Sequence, residues 1–321
     1  MIRSLRRPAL IALAIWSVPA AAQEYPSRPI RIMIGFPPVG AADLTARSIG
    51  QKLTDAWHVQ VLIENRPGAG GNIAPDLVSK AAPDGYTLLM AAATTHAVSR
   101  GLYSRLNYDL EKDLAPVTLC SNIPHVLVAH PALPVRTVKD VIALGKSHPS
   151  EINFASQGAG TLSHLEQELL KTMGGFKAVH VPYKGSVPAL SDLIPGNVQL
   201  LFDSIPSSLP HIKTGKLRGI AVASSQRSPV LPELPAIGES LKGFEADNWF
   251  GLMAPAGTPR AVIDKLNAEV GRILAMADIK ERLLSQGGVA YPSTPERMAA
   301  AIKSDIAKWG KVIAASGAKL E

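Results

Sequence analysis

Residues 154–170, FASQGAGTLSHLEQELL, predict a strand, a glycine-rich turn and a helix in immediate succession. The apolar pair Phe154-Ala155 leads into the turn, and four leucines between residues 162 and 170 recur at helical spacing. The first N–H groups of a helix have no partner inside it and point outward, so a turn of this kind can hold an anion. The stretch therefore predicts an α/β fold with an anion site at a strand end, and it leaves the identity of the anion open.

The first 22 residues, MIRSLRRPALIALAIWSVPAAA, have the pattern of a secretory signal peptide. Three arginines precede an apolar run from Ala9 to Val18, and Ala20 and Ala22 fit the small residues of a cleavage site. The run is shorter than the roughly 20 residues that a membrane span needs, and no later segment is apolar over that length. We therefore expect export to the periplasm and a mature chain that starts at Gln23 and contains no membrane span.

Charge and cysteine content narrow the class of protein further. The formal net charge is +7, and loss of the three arginines of the signal peptide would lower it to +4. The basic residues are scattered and not interleaved with aromatic ones, which argues against nucleic acid as a partner, whereas a mild positive balance favours small anions. The single cysteine, Cys120, excludes an internal disulfide, and its place in the apolar run Ala115–Cys120 predicts a buried core residue.

Two observations argue against a nucleotide at the glycine turn. An exported protein is not expected to meet cytoplasmic nucleotide cofactors, and neither residues 154–170 nor the turn Gly68–Gly71 completes GxGxxG or carries GK[ST]. His164 and Glu168 share a helix face, but HLEQE differs from HExxH and no third metal ligand is evident. We therefore expect neither a cofactor nor a metal ion.

The pattern of apolar segments predicts two α/β units. Strands at Pro29–Phe36, Val59–Glu64 and Tyr86–Ala91 alternate with helices, which is typical of a parallel sheet. A second unit follows with further strands at about 152–155, 179–182, 198–202 and 217–223, and Trp249–Ala254 and three amphipathic helices close the chain.

The chain is expected to cross between the two units near residue 122 and to return near residue 248. This predicts one lobe from residues 23–122 plus 249–321, a second lobe from residues 123–248, and a hinge of two crossing segments. A cleft between such lobes, at the carboxyl ends of the strands, is where ligands bind.

Polar residues follow five of the predicted strands, and together they are more informative than any one alone. Each segment also has a structural interpretation: Asp43 suits a helix N-terminus, where the dipole favours it, and Lys184 suits a solvated turn. The five segments are Gly35–Asp43, Ala93–His96, Ser156–Ser163, Val181–Gly185 and Leu201–Ser204.

Catalytic patterns are sparse. The chain has no GxSxG nucleophile elbow, and none of its eight histidines has a recognisable triad context. One alternative stays open, an exported hydrolase of small esters or amides with Ser156 or Ser163 as nucleophile and His164 nearby. It lacks both the elbow and an acid to orient the histidine.

The mature chain resembles, over essentially its whole length, the periplasmic substrate-binding receptors of the tripartite tricarboxylate transporters, the Bug or TctC family. NRPGAGGN together with PDGYTLL is quite specific to that family. The matching stretches, in family order, are YPSRPIRIMIGFPPVGAAD, VLIENRPGAGGNIA, APDGYTLLMA, YDLEKDLAPVTL, INFASQGAGTLSHLEQELL, VHVPYKGSVPALSDLIPGNVQLLFDS, LRGIAVAS and GLMAPAGTP.

The resemblance implies a two-lobe, type II-like periplasmic binding fold that closes on its ligand. It implies a receptor, not an enzyme, that captures a small organic carboxylate and delivers it to the membrane subunits of a transporter. A di- or tricarboxylate, an amino acid and an aromatic acid all remain open as the ligand, and a monomer is expected. A receptor that senses the ligand for a signalling partner would use the same fold.

The resemblance also implies which residues hold the ligand. Backbone and hydroxyl groups of the loop after the first strand and of the Gln157–Ser163 loop would grip one carboxylate, partly through water. Carried onto this sequence, the positions are Phe36, Ala41, Asp43, Thr94, Ser156, Gly158, Thr161, His164, Tyr183 and Asp203. One position departs from the family, because Val39 stands where the first of two adjacent glycines is usual, and a β-branched residue resists positive φ.

Overall fold

The computed structural model describes residues 25–316, apart from the side chains of Ala93 and Ser316. The predicted signal peptide lies outside the described residues. Along the described chain the elements are β1 (Ile30–Ile34), α1 (Ala41–Trp57), β2 (Val61–Asn65), a 3-10 turn (Ala69–Gly71), α2 (Ile73–Ser79), β3 (Thr87–Ala92), α3 (Ala93–Leu102), β4 (Leu114–Asn122), β5 (His125–Ala129), α4 (Val138–Ser147), β6 (Asn153–Ser156), α5 (Leu162–Gly174), β7 (Val179–Pro182), α6 (Ser186–Leu193), β8 (Leu200–Ser204), α7 (Ile205–Lys213), β9 (Arg218–Val222), α8 (Ile237–Ser240), β10 (Trp249–Pro255), α9 (Arg260–Ala275), α10 (Ala277–Ser285), β11 (Val289–Ala290) and α11 (Pro295–Ser316).

The strands form two mixed sheets, which confirms the predicted α/β class. The first sheet has the order β11-β4-β10-β3-β1-β2, with β1 parallel to β2 and β3, and β10 antiparallel to β3 and β4. The second has the order β7-β6-β8-β5-β9, with β6 parallel to β7 and β8, and β5 antiparallel to β8 and β9. Strands of the first sheet therefore come from residues 30–122 and 249–290, and strands of the second from residues 125–222.

The chain passes between the sheets twice, and the two passages are hydrogen-bonded to each other. The N–H of Ile123 donates to the carbonyl of Asn248 at 2.9 Å, and the side-chain amide of Asn248 donates to the carbonyl of Ile123 at 3.0 Å. Beside them, Asn122 pairs with Trp249 across β4 and β10. Two paired strands resist sliding past each other, so the passages move as a unit.

Apolar periodicity explains how the helices cover the sheets. In α1, Ala46, Ile49 and Leu53 are fully buried on one helix face and pack on the strands of the first sheet. Cys120 lies in the same core, as predicted, and burial raises the pKa of its thiol to about 12. No helix within residues 25–316 is long and apolar enough to cross a membrane.

The helix α11 joins the two sheets a third time. Met298 and Ile302, near its start, pack in a core cluster with strands of the first sheet, whereas Trp309 and Ile313 belong to the core cluster of the second. Helix α3, which the sequence pattern did not predict, bridges in the same way through Val98. The hinge of two passages is therefore reinforced by packed helices.

We expect Trp309→Ala to lower the free energy of unfolding by about 3–5 kcal/mol, because it removes a fully buried aromatic side chain from the core that α11 shares with the second sheet. Lys311→Ala, on an exposed position of the same helix, is the matched control. Urea unfolding of both variants measures the difference. Equal stability of the two would show that α11 is not anchored there.

Candidate ligand-binding cleft

A cavity of about 90 Å³ lies between the two sheets. It sits where β1, β3, β6, β7 and β8 end and where the antiparallel strands β5 and β10 begin. Each of the five polar segments singled out in the sequence contributes at least one lining residue. The lining residues are Phe36, Pro37, Pro38, Val39, Gly40, Ala41, Ala42, Ala92, Thr95, His125, Gln157, Lys184, Gly185, Ser186, Val187, Pro188, Ser204, Ser207, Asn248 and Phe250.

The cleft has a polar floor and an apolar mouth. Thr95, His125, Ser204 and Asn248 are buried, and they form the floor beside the two passages between the sheets. At the mouth lie the exposed residues Pro38, Val39, Lys184, Val187 and Pro188. A ligand that enters with its polar end first would meet hydrogen-bonding groups at the floor and keep an apolar body against the mouth.

Asp43 holds the first cleft loop in place and does not line the cavity. Its Oδ2 accepts the N–H of Val39 at 3.0 Å and Nε of Arg47 at 2.9 Å, and Asn65 donates to Oδ1 at 3.0 Å. Burial would raise the pKa of Asp43, but these hydrogen bonds outweigh burial and lower it. The charged carboxylate therefore fixes the turn between β1 and α1.

Val39 occupies a backbone conformation that its side chain disfavours. Its φ is 69°, in the left-handed region, and 69% of the residue is exposed at the mouth of the cleft. The sequence predicted a conflict at this position, and the positive φ of Val39 confirms it. The hydrogen bond from the Val39 N–H to Asp43 retains the turn in spite of the strain.

Phe36 and His96 connect the first cleft loop to the glycine turn of residues 69–71. Their rings stack with centroids 6.5 Å apart, and Nε2 of His96 lies 3.3 Å from the carbonyl of Gly71. Burial lowers the pKa of His96 to about 4, so the ring is neutral at physiological pH and donates from Nε2 to that carbonyl. A neutral, buried ring thus supports the apolar wall of the cleft.

The hydroxyl groups of Ser156, Thr161 and Ser163 are hydrogen-bonded to their own turn and to the neighbouring strands β7 and β8. Thr161 donates to the carbonyl of Gly158 at 2.8 Å, and Ser163 donates to the carbonyl of Phe202. Ser156 contacts Nε2 of His180 at 2.7 Å and accepts the N–H of Gly158. These bonds shape the turn, and Gln157 is the residue through which it lines the cavity.

Asp203 supports the cleft from behind. Fully buried, it accepts Nε2 of Gln157 at 2.8 Å, the hydroxyl of Ser186 at 2.6 Å and the hydroxyl of Ser208 at 2.7 Å. Two of these donors, Gln157 and Ser186, line the cavity. One carboxylate therefore orients polar side chains from two different loops.

The ten positions carried over from the family fall into three groups. Phe36 and Ala41 line the cavity, and Asp43 and Asp203 position residues that do. The other six do not line it: Thr94 donates to the carbonyl of Asp247, Tyr183 donates to Asp192, His164 stacks on His180, and Ser156, Gly158 and Thr161 bond within their turn.

Several lining residues had no signal in the sequence. Ser186, Ser207, Asn248 and Phe250 come from segments that the pattern did not mark, and within the marked segment Ala93–His96 it is Thr95, not Thr94, that lines the cavity. His125 is the most consequential of these residues, because its Nδ1 is hydrogen-bonded to Oε2 of the buried Glu166 at 2.7 Å. Only Pro124 and the apolar run of β5 adjoin it in sequence, so its contact with α5 was not predictable.

The hydrolase alternative finds little support in the geometry. Ser156 faces His180 and not His164, and both Ser156 and Ser163 are fully buried outside the lining of the cavity. Burial lowers the pKa of His180 to about 3, and no carboxylate of the described chain is hydrogen-bonded to its ring. Residues 25–316 also contain no group of three metal-binding side chains.

Known proteins resemble this chain over almost its whole length. The sequence profile of the tripartite tricarboxylate transporter family receptors, TctC, matches residues 45–318. A UPF0065 protein from the tcbD-tcbE intergenic region of Pseudomonas sp. strain P51 is 40% identical over 94% of this chain and 91% of its own. Protein BugT of Bordetella pertussis is 37% identical over 97% and 96%.

Solved structures agree with the sequence relatives. Rpa4515 of R. palustris with adipate superposes with a TM-score of 0.88 at 35% identity, covering 92% of this chain and all of that one. The periplasmic binding protein BugD gives a TM-score of 0.84 at 32% identity, with 92% and 100% coverage. MatC from Rhodopseudomonas palustris with bound malate gives 0.83 at 33% identity, with 90% and 100% coverage.

We expect Val39→Gly to raise the free energy of unfolding by about 0.5–2 kcal/mol. The left-handed conformation costs a non-glycine residue about 1–3 kcal/mol, and glycine removes this cost. The greater freedom of glycine in the unfolded chain lowers the stability by about 0.4–1 kcal/mol and so offsets part of the gain. Val39→Ala keeps the Cβ atom and should gain less. Urea unfolding of the wild type, Val39→Gly and Val39→Ala measures these differences. A glycine variant less stable than the wild type would show that Val39 is not strained.

We expect the stability of the protein to fall in acid partly through His96. In the folded state its pKa is about 4, whereas the unfolded chain binds the proton near 6.5. The unfolded state therefore takes up the proton first, and up to about 3 kcal/mol is lost as the pH falls from 6.5 to 4. His96→Gln, which keeps a donor for Gly71, should lose less free energy of unfolding between pH 7 and 4.5, as urea unfolding at each pH would measure. His148→Gln, at an exposed histidine, should match the wild type. A loss in His96→Gln as large as that of the wild type would refute this prediction.

Proposed function

The chain belongs to the tripartite tricarboxylate transporter receptor family, and on that premise we propose that it captures a small organic carboxylate in the cleft and passes it to the membrane subunits of a transporter of that type. The family and the structural relatives are substrate-binding receptors, and the relatives include periplasmic binding proteins. In the proposal the receptor acts in the periplasm as a monomer after removal of residues 1–22. Its lobes are residues 23–122 plus 249–321 and residues 123–248.

The observation that carries the proposal is the convergence of the polar strand ends of both sheets on one cavity. Ser204 from the second sheet and Thr95 from the first bring hydroxyl groups to the cavity, and Gln157 and Ser186, whose donors are held by Asp203, place further polar side chains beside them. Lys184 adds a positive charge at the mouth, where it can attract an anion before contact. A carboxylate needs several such donors, because each contributes about 1 kcal/mol or a little more.

The lining also supports a choice among acids. Phe36, Val39, Val187 and Phe250 give the cleft apolar walls, while the buried polar groups cluster at its floor. An acid with a carboxylate at one end and an aliphatic or aromatic body satisfies both surfaces. A compact acid that carries charge on every side would leave the apolar walls in contact with a charged group, which is unfavourable.

Closure of the lobes would complete the site. At the mouth, a Cβ atom on Gly185 would lie 3.4 Å from Cγ of Pro37, so the two lobes already touch there. Deeper in, the N–H of Leu162 donates to the hydroxyl of Thr95 at 3.4 Å. A ligand that contacts both lobes stabilises this arrangement by shifting the population towards it.

We expect the mature protein to be stabilised against heat by acids with an apolar body. The test is thermal unfolding with adipate, malate, citrate, benzoate and amino acids, with the uncharged amides as controls. An acid that binds only the folded state adds about 2.7 kcal/mol at a hundredfold excess over Kd. Stabilisation by an amide equal to that by its acid would count against carboxylate recognition.

A blocked cleft provides the matched control. Ser207→Trp places a large side chain in the lining near the start of α7 and should abolish the ligand-dependent shift while the ligand-free protein stays folded. Ser285→Trp, on an exposed position of α10, should shift like the wild type. If Ser207→Trp responds normally to the acids, the binding site lies elsewhere.

A further inference from the structure

A buried pair of ionisable side chains lies at the floor of the cleft. His125, the first residue of β5, and Glu166, in the second turn of α5, are both buried, and the ring Nδ1 lies 2.7 Å from Oε2, at hydrogen-bond distance. The second carboxylate oxygen of Glu166, Oε1, has no hydrogen-bond partner within the described chain. A buried carboxylate with so few donors is costly unless a positive charge lies against it.

The surroundings favour a proton on His125. Burial alone would lower the pKa of His125, but the negative charges of Glu166 and, further off, Asp203 outweigh burial and raise it. Burial also raises the pKa of Glu166, although His125 opposes that shift. Both directions favour retention of a proton by the pair.

The second ring nitrogen of His125 is available to a ligand. Nε2 forms no hydrogen bond with the described residues, and the His125 side chain lines the cleft together with Ser204 and Asn248. Nδ1 is fixed by Glu166, so the ring cannot turn its other nitrogen away without breaking that bond. A protonated ring therefore presents Nε2–H to the floor of the cavity.

The charges around the floor make that proton necessary for an anion. The ionisable groups that face His125 are Glu166 from α5 and Asp203 from β8, and Lys184 lines the same cavity at its exposed mouth. With His125 neutral, an entering carboxylate would meet two buried carboxylates and no buried positive charge. With His125 protonated, one positive charge lies between the ligand and those carboxylates.

We propose that His125 is the group that holds the anionic end of the ligand, with Nδ1–H donating to Glu166 and Nε2–H donating to a carboxylate oxygen in the cleft. Glu166 is then a positioning residue that orients the ring and retains its proton. This inference rests on the proposed function and deepens it, because it names the contact that selects for negative charge. It requires one carboxylate of the ligand to reach the floor.

The proposal fixes the sign of the pH dependence. A bound anion stabilises protonated His125, so binding takes up or retains a proton. Affinity should be constant at pH values where the ligand-free protein already carries that proton. It should then fall about tenfold per pH unit above the pKa of His125 in the ligand-free protein.

The experiment uses the mature protein and isothermal titration calorimetry with adipate, or with whichever panel acid binds, between pH 5.5 and 8.5. His125→Gln should weaken binding about tenfold to hundredfold at pH 6, the range for a hydrogen bond to a charged group, and should remove the pH dependence. Glu166→Gln should move the fall in affinity to lower pH. His148→Gln, which removes an exposed histidine, should behave as the wild type.

A second readout needs no ligand. NMR of ¹⁵N-labelled histidine should show His125 protonated on both nitrogens above pH 6.5 in the wild type and at lower pH only in Glu166→Gln. If His125→Gln does not fold, the neutral pair His125→Gln/Glu166→Gln replaces it in the calorimetry. A neutral His125 ring at pH 6, or unchanged binding by the variants, would overturn this inference alone, whereas no binding of any acid would overturn the proposed function and this inference with it.

Discussion

Two buried carboxylates, Asp43 and Asp203, determine the shape of the cleft. A carboxylate removed from water must be surrounded by donors, and each of these takes its donors from the loops that line the cavity. Asp43 holds the Val39 turn in the first lobe, and Asp203 holds Gln157 and Ser186 in the second. The donors of each loop are fixed before a ligand arrives, which lowers the entropy cost of binding.

The sequence predicted the fold and the loops of the site better than it predicted the residues in the cavity. Alternating strands and helices, and a polar segment after a strand, are both patterns of neighbouring residues that can be read from the sequence. All five segments marked in this way contribute to the lining of the cavity. Which side chain of a segment faces the cavity depends on partners that are distant in sequence. Thr161 is hydrogen-bonded to Gly158 and Tyr183 to Asp192, so neither side chain lines the cleft. His125 does line it, and it is held there by Glu166, 41 positions away.

Helix α3 illustrates a second limit of the sequence pattern. Its residues 93–102 contain few apolar side chains, and its polar ones are buried: Thr95 accepts the N–H of Leu162, and His96 contacts Gly71. A helix whose buried face is polar does not show the apolar period on which helix prediction rests. Thr95 and Nε2 of His96 stabilise this face because they find partners in the second and the first lobe respectively.

The weakness of the contacts between the lobes suits a receptor that must open. Besides the paired passages at Ile123 and Asn248, the hydrogen bonds between the lobes are 3.2–3.4 Å long. They run from the Thr94 hydroxyl to the carbonyl of Asp247, from the Leu162 N–H to Thr95, and from the Tyr103 hydroxyl to the carbonyl of Ala159. Bonds of this length contribute less than the roughly 1 kcal/mol of a good one. In the proposed receptor, a ligand that contacts both lobes would add the contacts that favour closure, because a ligand shifts a two-state equilibrium by its differential affinity for the two states. Helix α11 limits the motion, since its two halves are packed in the cores of different sheets and the lobes can separate only as far as that packing yields.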